Sequence, residues 1–266
     1  MKRCRQQGFS LVEMMVALVI GLFVLAGVGS VYITGKRSYQ ARDGLSLLQE
    51  NGRTAIRLIE QSVVRAGYPM FAEIQPVVHG AGQLLLLRTK TGKSASKALG
   101  LELAREGAGI EGDTLSIQYQ PVKDAAWEDG EDCVGNESEI DGRVISTFFV
   151  EKGTLKCRGS GKASAEPLVD NVISLQVEYG EDANSDGFAD KYSSLNDVDG
   201  NNWNRIVAIR IGLLISSGED VLDEPVNKKQ TFTLAGQQVT LNSKNDRKLY
   251  RVFQTTIPLR NRMPIL

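Results

Sequence analysis

The sequence predicts an α+β protein in which one long N-terminal helix precedes a domain rich in β-strands. Two observations support this order. Residues 9–66 are compatible with helix throughout, whereas after Pro69 short β-branched segments alternate with Gly, Asp, Asn and Pro. No period of 20–50 residues recurs, so a repeat array is excluded. A helix followed by a run of strands is typical of α+β folds.

The composition argues against nucleic-acid binding and gives no sign of catalysis. The 266 residues carry a formal net charge of −1, whereas a polyanion partner requires a strongly basic face. No hydrolase triad or pair of catalytic carboxylates is recognisable. A phosphate loop ending at Lys93-Ser94 fails because Leu87 stands in place of its first glycine. We therefore expect a protein that is not an enzyme.

The N-terminus combines a short basic leader with a long uncharged segment. Lys2, Arg3 and Arg5 precede the run Met14–Gly35, which contains no charged side chain. As helix, this run is long enough to span a hydrocarbon core of about 30 Å. The basic leader favours a cytoplasmic N-terminus with the rest of the chain outside. A cleaved secretory signal peptide is the alternative, but Ala26–Ser30 makes a poor cleavage site.

Glu13 is the residue that a plain membrane anchor does not explain. An ionisable group in a membrane span costs about 2.5–3.5 kcal/mol on insertion scales, so a specific partner is expected. The segment Gly8-Phe9-Ser10-Leu11-Val12-Glu13 resembles the processing signature of type IV prepilins. The resemblance implies that a prepilin peptidase in the inner membrane cuts between Gly8 and Phe9 and methylates the new amino group of Phe9.

The chemistry of this motif fits assembly between subunits. Cleavage leaves a cationic amine on Phe9 in or near a region of low dielectric constant. The Glu13 carboxylate of a neighbouring subunit would neutralise it, and a charge pair there is far stronger than in water. This contact would set the register of each incoming subunit.

These features divide the chain into three predicted parts: a leader at 1–8, a helix at 9–66 and a β-rich domain at 67–266, which is expected outside the cytoplasm. Residues 9–34 of the helix are expected in the membrane. The second half is amphipathic, with Leu45, Leu48, Ala55, Ile56, Ile59, Val63 and Val64 on one face that packs on the sheet. Gly44 and Gly52 are weak points, each costing about 1 kcal/mol against alanine. Gly67-Tyr68-Pro69 predicts the helix end.

The remaining domain contains eight candidate strands. Residues 148–157 predict a tight hairpin, and Val207, Ile209 and Ile211 alternate with Ala208 and Arg210 as in a strand with one buried face. The candidate strands are Leu84–Arg88, Thr114–Tyr119, Val144–Val150, Thr154–Cys157, Ile173–Tyr179, Ile206–Ile215, Thr231–Leu234 and Arg251–Ile257.

Cys133 and Cys157 are the two cysteines that remain once Cys4 leaves with the leader. In a domain outside the cytoplasm such a pair favours a disulfide, worth about 3 kcal/mol for a loop of this size. A two-cysteine metal site is the alternative, but the single histidine, His79, is far away in the sequence.

Residues 182–190 have the spacing of the first part of a calcium loop. Asp182, Asn184, Asp186 and Asp190 supply oxygen ligands, Phe188 would supply its backbone oxygen, and Gly187 permits the sharp turn. Ser193 stands where the bidentate acid is expected, so Asp197 or Asp199 would have to replace it. The alternative is a solvated, unliganded connection; magnesium would need a stricter octahedral arrangement.

Several later segments resemble the PilW family of minor pilins. They are Arg65–Tyr68, the block from Cys133 to Cys157, Leu175–Gly180, Trp203 before the strand from Ile206, and Arg260–Arg262. The resemblance implies a subunit of a priming or tip complex that contacts other minor pilins and the major pilin and uses an inner-membrane assembly platform. Such pili serve twitching motility, adhesion and DNA uptake. The subunit would cross the inner membrane once, with its domain in the periplasm, before entering the pilus.

Two rival functions remain open at this stage. A type II secretion minor pseudopilin of the J class would share the leader, its processing and the β-rich domain. A membrane-tethered calcium-dependent adhesin would instead bind a ligand through its isolated domain, and a chelator would abolish that binding.

Overall fold

A computed structural model describes residues 10–66, 110–119, 130–136, 144–160, 164–198 and 205–260. The chain divides into two compact units, residues 1–44 and 45–266. In the described residues, helix α1 (Leu11–Arg65) precedes antiparallel sheets, which confirms the predicted α+β class. The strands are β1 (Leu115–Tyr119), β2 (Val144–Glu151), β3 (Thr154–Arg158), β4 (Glu166–Asp170), β5 (Val172–Glu181), β6 (Lys191–Ser193), β7 (Ile206–Ser216), β8 (Lys229–Leu234), β9 (Gln237–Asn242) and β10 (Tyr250–Pro258). The expected strand Leu84–Arg88 and the helix stop at Gly67–Pro69 lie outside the described residues.

Helix α1 changes character along its length. In the first unit its apolar side chains are exposed, as at Phe23, and the helix is long and apolar enough to cross a membrane. In the second unit, one stripe is buried in the domain core, formed by Leu48, Ala55, Ile59 and Val63. Leu45 and Val64, which the sequence placed on this face, are each 39% exposed. Val64 points away because it lies about 100° around the axis from Val63.

Among the described residues, two four-stranded sheets enclose the main core together with this stripe of α1. Sheet A has the order β1-β2-β3-β4, and sheet B has the order β10-β7-β5-β6. Phe148 and Leu155 of sheet A are fully buried in the same cluster as Leu175 and Ile211 of sheet B. The amphipathic half of α1 therefore docks on the β domain, as expected.

Strand β7 is covered on both faces, so the prediction of one buried face was wrong. Ile209 and Ile211 face the main core, but Ala208, Gly212 and Leu214 are also buried. The hairpin β8–β9 covers this second face, where Leu214 clusters with Leu234, Val239 and Leu241. Gly212 permits the close approach, because a Cβ there would lie 2.8 Å from the backbone nitrogen of Ala235.

The hairpins β2–β3 and β8–β9 differ in how clearly the sequence indicates their turns. Lys152 and Gly153, both with positive φ, connect β2 to β3, which confirms the hairpin predicted there. Ala235 and Gly236 connect β8 to β9 with φ of 41° and 71°. Alanine is an unusual residue for that conformation, and strand β9 was missed for this reason.

Residues Glu111–Asp113, here called the strap, tie the chain before β1 to strand β5. The N–H of Asp113 donates to the carbonyl of Leu175 at 2.6 Å, and the N–H of Leu175 donates to the carbonyl of Glu111 at 3.1 Å. The carboxylate of Asp113 accepts the N–H of Val177 at 2.9 Å. The strap directly precedes β1 of sheet A, and its backbone hydrogen bonds connect this part of the chain to β5 of sheet B.

Candidate functional site

The start of α1 places Glu13 in a defined local arrangement. Its carboxylate Oε2 accepts the backbone N–H of Ser10 at 3.2 Å, and the carbonyl of Ser10 accepts the N–H of Met14 at 3.2 Å. Ser10 therefore stands at the cap and Glu13 satisfies one of the unpaired N–H groups of the first turn. A carboxylate is also favourable at this end of the helix dipole. Gly8 and Phe9 lie outside the described residues, so the pairing of the Phe9 amine with Glu13 stays a prediction.

Cys133 and Cys157 form a disulfide in the structure, with their Cα atoms 6.3 Å apart. The bridge ties the turn at residues 130–136 to strand β3, where Cys157 is fully buried opposite Phe148 of β2. Asp132 shapes the same turn by accepting the backbone N–H groups of Val134 and Asn136 at 2.9 and 3.0 Å. This pair of cysteines is thus a cross-link within the fold rather than a metal site.

Asp182 organises the acidic loop between β5 and β6. Its side chain is buried and accepts the N–H groups of Ser185 and Gly187 at 2.6 and 2.8 Å and of Asp186 at 3.3 Å. Burial raises the pKa of this carboxyl, but the hydrogen bonds from Gly187, Ser185 and Asp186 outweigh burial and hold its pKa below the usual value. The loop is therefore closed around an ionised Asp182.

The other predicted ligands also take part in closing the loop. Asp190 accepts the N–H of Ala183 at 2.8 Å, and Asp186 accepts the N–H of Phe188 at 2.8 Å and the amide of Asn184 at 3.1 Å. The side chain of Phe188 is 76% exposed. The structure thus brings the predicted residues together in one loop.

The described part of the chain contains no cluster of acidic side chains that is arranged to bind a metal ion. No group of three or more His, Cys, Asp or Glu side chains there is arranged to hold one. Of the two acids considered as the last ligand, Asp197 bonds the hydroxyl of Ser194 at 2.7 Å, and Asp199 lies outside the described residues. Calcium binding by this loop stays a prediction.

A surface pocket, not foreseen from the sequence, lies beside the connection between β9 and β10. Its volume is about 410 Å³, and Ile110, Leu241 and Tyr250 contribute to its wall. Burial and the hydrogen bond to Asp246 raise the pKa of Tyr250, whose hydroxyl donates to that carboxylate at 2.8 Å. Most of the wall is formed by residues 241–250, and Ile110, Ile173 and Asp220 complete it from other parts of the chain.

Comparison with known proteins adds two family matches. Residues 143–261 match the Type IV Pilus-assembly protein W family, and residues 3–29 match the prokaryotic N-terminal methylation motif. No curated protein matches the chain.

Two solved structures are weakly similar to the chain. A type IV-like pilin from Thermus thermophilus is 15% identical, with a TM-score of 0.42 over 80% of this chain and 96% of that one. A chain of the GspK-GspI-GspJ complex from the type 2 secretion system of enterotoxigenic Escherichia coli is 11% identical, with a TM-score of 0.34 over 79% and 96%.

Proposed function

Since the chain is a type IV pilin-like protein with a PilW-family domain, we propose that it is a minor pilin acting in the priming or tip complex of a type IV pilus. One observation carries the proposal. The N-terminal methylation motif at residues 3–29 overlaps a helix that carries no charged side chain from Met14 to Gly35, and the same chain matches the PilW family at residues 143–261.

The proposed route to the pilus begins in the inner membrane. The subunit crosses that membrane once through residues 9–34, with the domain at 67–266 in the periplasm. Prepilin peptidase removes residues 1–8 and methylates Phe9. The assembly platform then moves the subunit into a filament with other minor pilins and the major pilin, which supports twitching motility, adhesion or DNA uptake.

Glu13 gives this route its physical basis. Nothing but apolar side chains, glycines and uncharged polar groups follows it as far as Gly35, so an unpaired carboxylate there is costly in lipid. The bond from the Ser10 N–H uses one carboxylate oxygen. We propose that the amine of Phe9 on a neighbouring subunit is the charged partner, formed only once the leader has been removed.

Intact mass of the protein extracted from membranes tests the processing step. Loss of residues 1–8 together with the gain of one methyl group is the expected result. A chain that retains its first eight residues refutes the assignment.

Replacing Glu13 tests the charge pair. Glu13→Ala should leave membrane insertion unchanged and lower the number of surface pili, because the amine loses its partner. Glu50→Ala is the matched control, since Glu50 is exposed on the same helix beyond the apolar run. Normal piliation with Glu13→Ala contradicts the mechanism.

A deletion strain separates the pilus from type II secretion. Loss of surface pili with normal secretion of exoproteins supports a minor pilin. Loss of secretion with normal pili instead assigns the chain to a pseudopilus.

A further inference from the structure

Strand β10 forms one edge of sheet B and pairs with β7 over its whole length. The nine residue pairs run in register without a bulge. Just outside them, the N–H of Ser217 donates to the carbonyl of Leu249 and the N–H of Leu259 donates to the carbonyl of Val207, both at 2.8 Å. Hydrogen-bonded pairs alternate along an antiparallel ladder. The odd-numbered residues of β10 are therefore those that bond to β7.

The even-numbered residues of β10 direct their backbone groups away from β7. They are Tyr250, Val252, Gln254 and Thr256, each with one N–H and one C=O at the outer side of the strand. Within the described residues, no other strand pairs with this side of β10, and no backbone hydrogen bond reaches these four residues from elsewhere. Strand β10 thus presents a row of unpaired donors and acceptors at two-residue spacing.

Two other edges in the described part of the chain are blocked, but the edge at β10 is not. Pro167 lies within β4, whose pairing with β3 also contains a register shift. The strap covers β5 at Leu175 and Val177. In β10, by contrast, the run Val252–Ile257 holds no charge, proline or bulge. Native proteins block such edges unless another chain pairs with them, so this edge is suited to β-strand addition.

The fold holds the β10 edge in place before a partner arrives. Phe253 packs against the main core, and Tyr250 and Val252 pack against the cluster that the β8–β9 hairpin covers. The side chain of Gln254 accepts the N–H of Ala235 at 3.1 Å. Pairing with a further strand therefore orders little of β10, which lowers the entropic cost of binding.

The partner that fits this edge is an extended segment without charges. Its own N–H and C=O groups would meet those of β10, and uncharged side chains would lie beside Val252 and Thr256. A second copy of this chain fits less well, because two β10 edges that pair about a two-fold axis close into a dimer. The proposed priming or tip complex instead requires a contact with a different minor pilin.

We infer that the outer edge of β10 binds an extended, uncharged segment of another minor pilin, which becomes an additional strand of sheet B. The contact uses the backbone groups of Val252, Gln254 and Thr256. The identity of the partner rests on the proposed function, whereas the free edge does not.

Amide hydrogen exchange of the full chain in detergent micelles tests the free edge. In a chain produced without other prepilins, the N–H groups of Val252, Gln254 and Thr256 should exchange at least about tenfold faster than those of Phe253 and Thr255, which bond to β7. Slow exchange at all five positions would show that the chain covers its own edge, and it would overturn the inference.

Proline at position 256 removes one outward N–H and leaves the pairing with β7 intact. Thr256 is exposed, so Thr256→Pro should change the melting temperature little, whereas Thr255→Pro removes a bond to Ile211 and should lower it clearly. Thr256→Ala is the matched control, because it removes the side chain and keeps the N–H. Equal destabilisation by the two prolines would contradict the assignment of the outer side of β10 and overturn the inference.

Photo-cross-linking in membranes of a producing strain tests the partner. The photoreactive residue p-benzoylphenylalanine replaces the exposed Arg251 in the full chain, and mass spectrometry identifies the second protein in the product. The expected product contains another minor pilin with a processed, N-methylated N-terminus. Thr256→Pro in the same chain should lower its yield about fivefold, in line with the loss of one hydrogen bond, and Thr256→Ala should leave the yield unchanged.

The inference is overturned if no cross-linked product forms, if the product contains no other minor pilin, or if Thr256→Pro leaves its yield unchanged. Intact mass of the chain from the same membranes separates this failure from failure of the proposed function. A chain that has lost residues 1–8 and gained one methyl group, but gives no product, refutes the strand addition alone. A chain that keeps its first eight residues refutes the proposed function.

Discussion

Gly52 lies where helix α1 meets the ring of Phe253 on strand β10, and replacing it with alanine tests how the helix packs on sheet B. A Cβ built at Gly52 would lie 2.5 and 2.6 Å from the Cε2 and Cδ2 atoms of Phe253. Those distances are far inside van der Waals contact. The ring packs against the main core and belongs to a strand held by its pairing with β7, Phe253 opposite Leu213. It cannot retreat without losing buried contacts.

Two opposing effects set the magnitude of the change. Alanine is favoured over glycine in a helix interior by about 1 kcal/mol. Inserting an extra carbon into a packed contact typically costs about 1–3 kcal/mol, and the short distances at Gly52 place this contact near the upper end. We therefore expect Gly52→Ala to lower the free energy of unfolding of the β domain by about 1–2 kcal/mol.

Urea unfolding of the full chain in detergent micelles, followed by near-ultraviolet circular dichroism, measures this free energy. The matched background is Phe253→Ala, which removes the ring. In that background Gly52→Ala should instead raise the free energy of unfolding by about 1 kcal/mol, the helix propensity alone. An increase in stability in the presence of Phe253 would refute the packing argument.

Three further predictions concern the disulfide and the acidic loop. Replacing Cys133 and Cys157 together by serine should lower the free energy of unfolding by about 3 kcal/mol, measured by urea unfolding, and reducing agent should then have no further effect. The lowered pKa of Asp182 means that its stabilising effect is present above the unfolded value of about 3.9 and is lost as pH falls through the lower folded value. Asp182→Asn should therefore flatten the acid limb of a plot of melting temperature against pH, and an unchanged limb contradicts the role of this carboxylate. If the loop binds calcium, millimolar Ca²⁺ should raise the melting temperature of the wild-type chain and leave that of Asp186→Ala unchanged. The same response to Ca²⁺ in both proteins would contradict calcium binding by this loop.

The parts of the fold that follow from local pattern were predictable, and those that depend on neighbours were not. The uncharged run at 14–35 and strand β2 are marked by their own local composition, and Gly153 marks the first hairpin. Gly52, by contrast, is read from the sequence as a weak point, and only the position of Phe253 reveals why a side chain is excluded there. Strand β4 was not predicted because Pro167 lies within it, and Pro is tolerated there since β4 is the edge strand of sheet A among the described strands.

The candidate site also has a part that was predictable from local sequence and a part that was not. The acidic loop was visible because its ligand spacing is local, and the structure brings those residues together. The pocket beside Ile110 was not predicted, because residues 241–250 form a pocket wall only where Ile110, Ile173 and Asp220 pack beside them.

The strap at Glu111–Asp113 has a consequence for solubility. Among the described residues, strand β6 pairs with only the last three residues of β5, so without the strap Leu175 and Val177 would present unpaired amide groups along an open edge of sheet B. An open sheet edge of this kind can form β-pairing with an extended segment of another chain. A side chain at Gly112, whose φ is +83°, would collide with the carbonyl of Leu175 and dislodge the strap. Substitution of this glycine should therefore appear as aggregation of the β domain before it appears as a lower melting temperature.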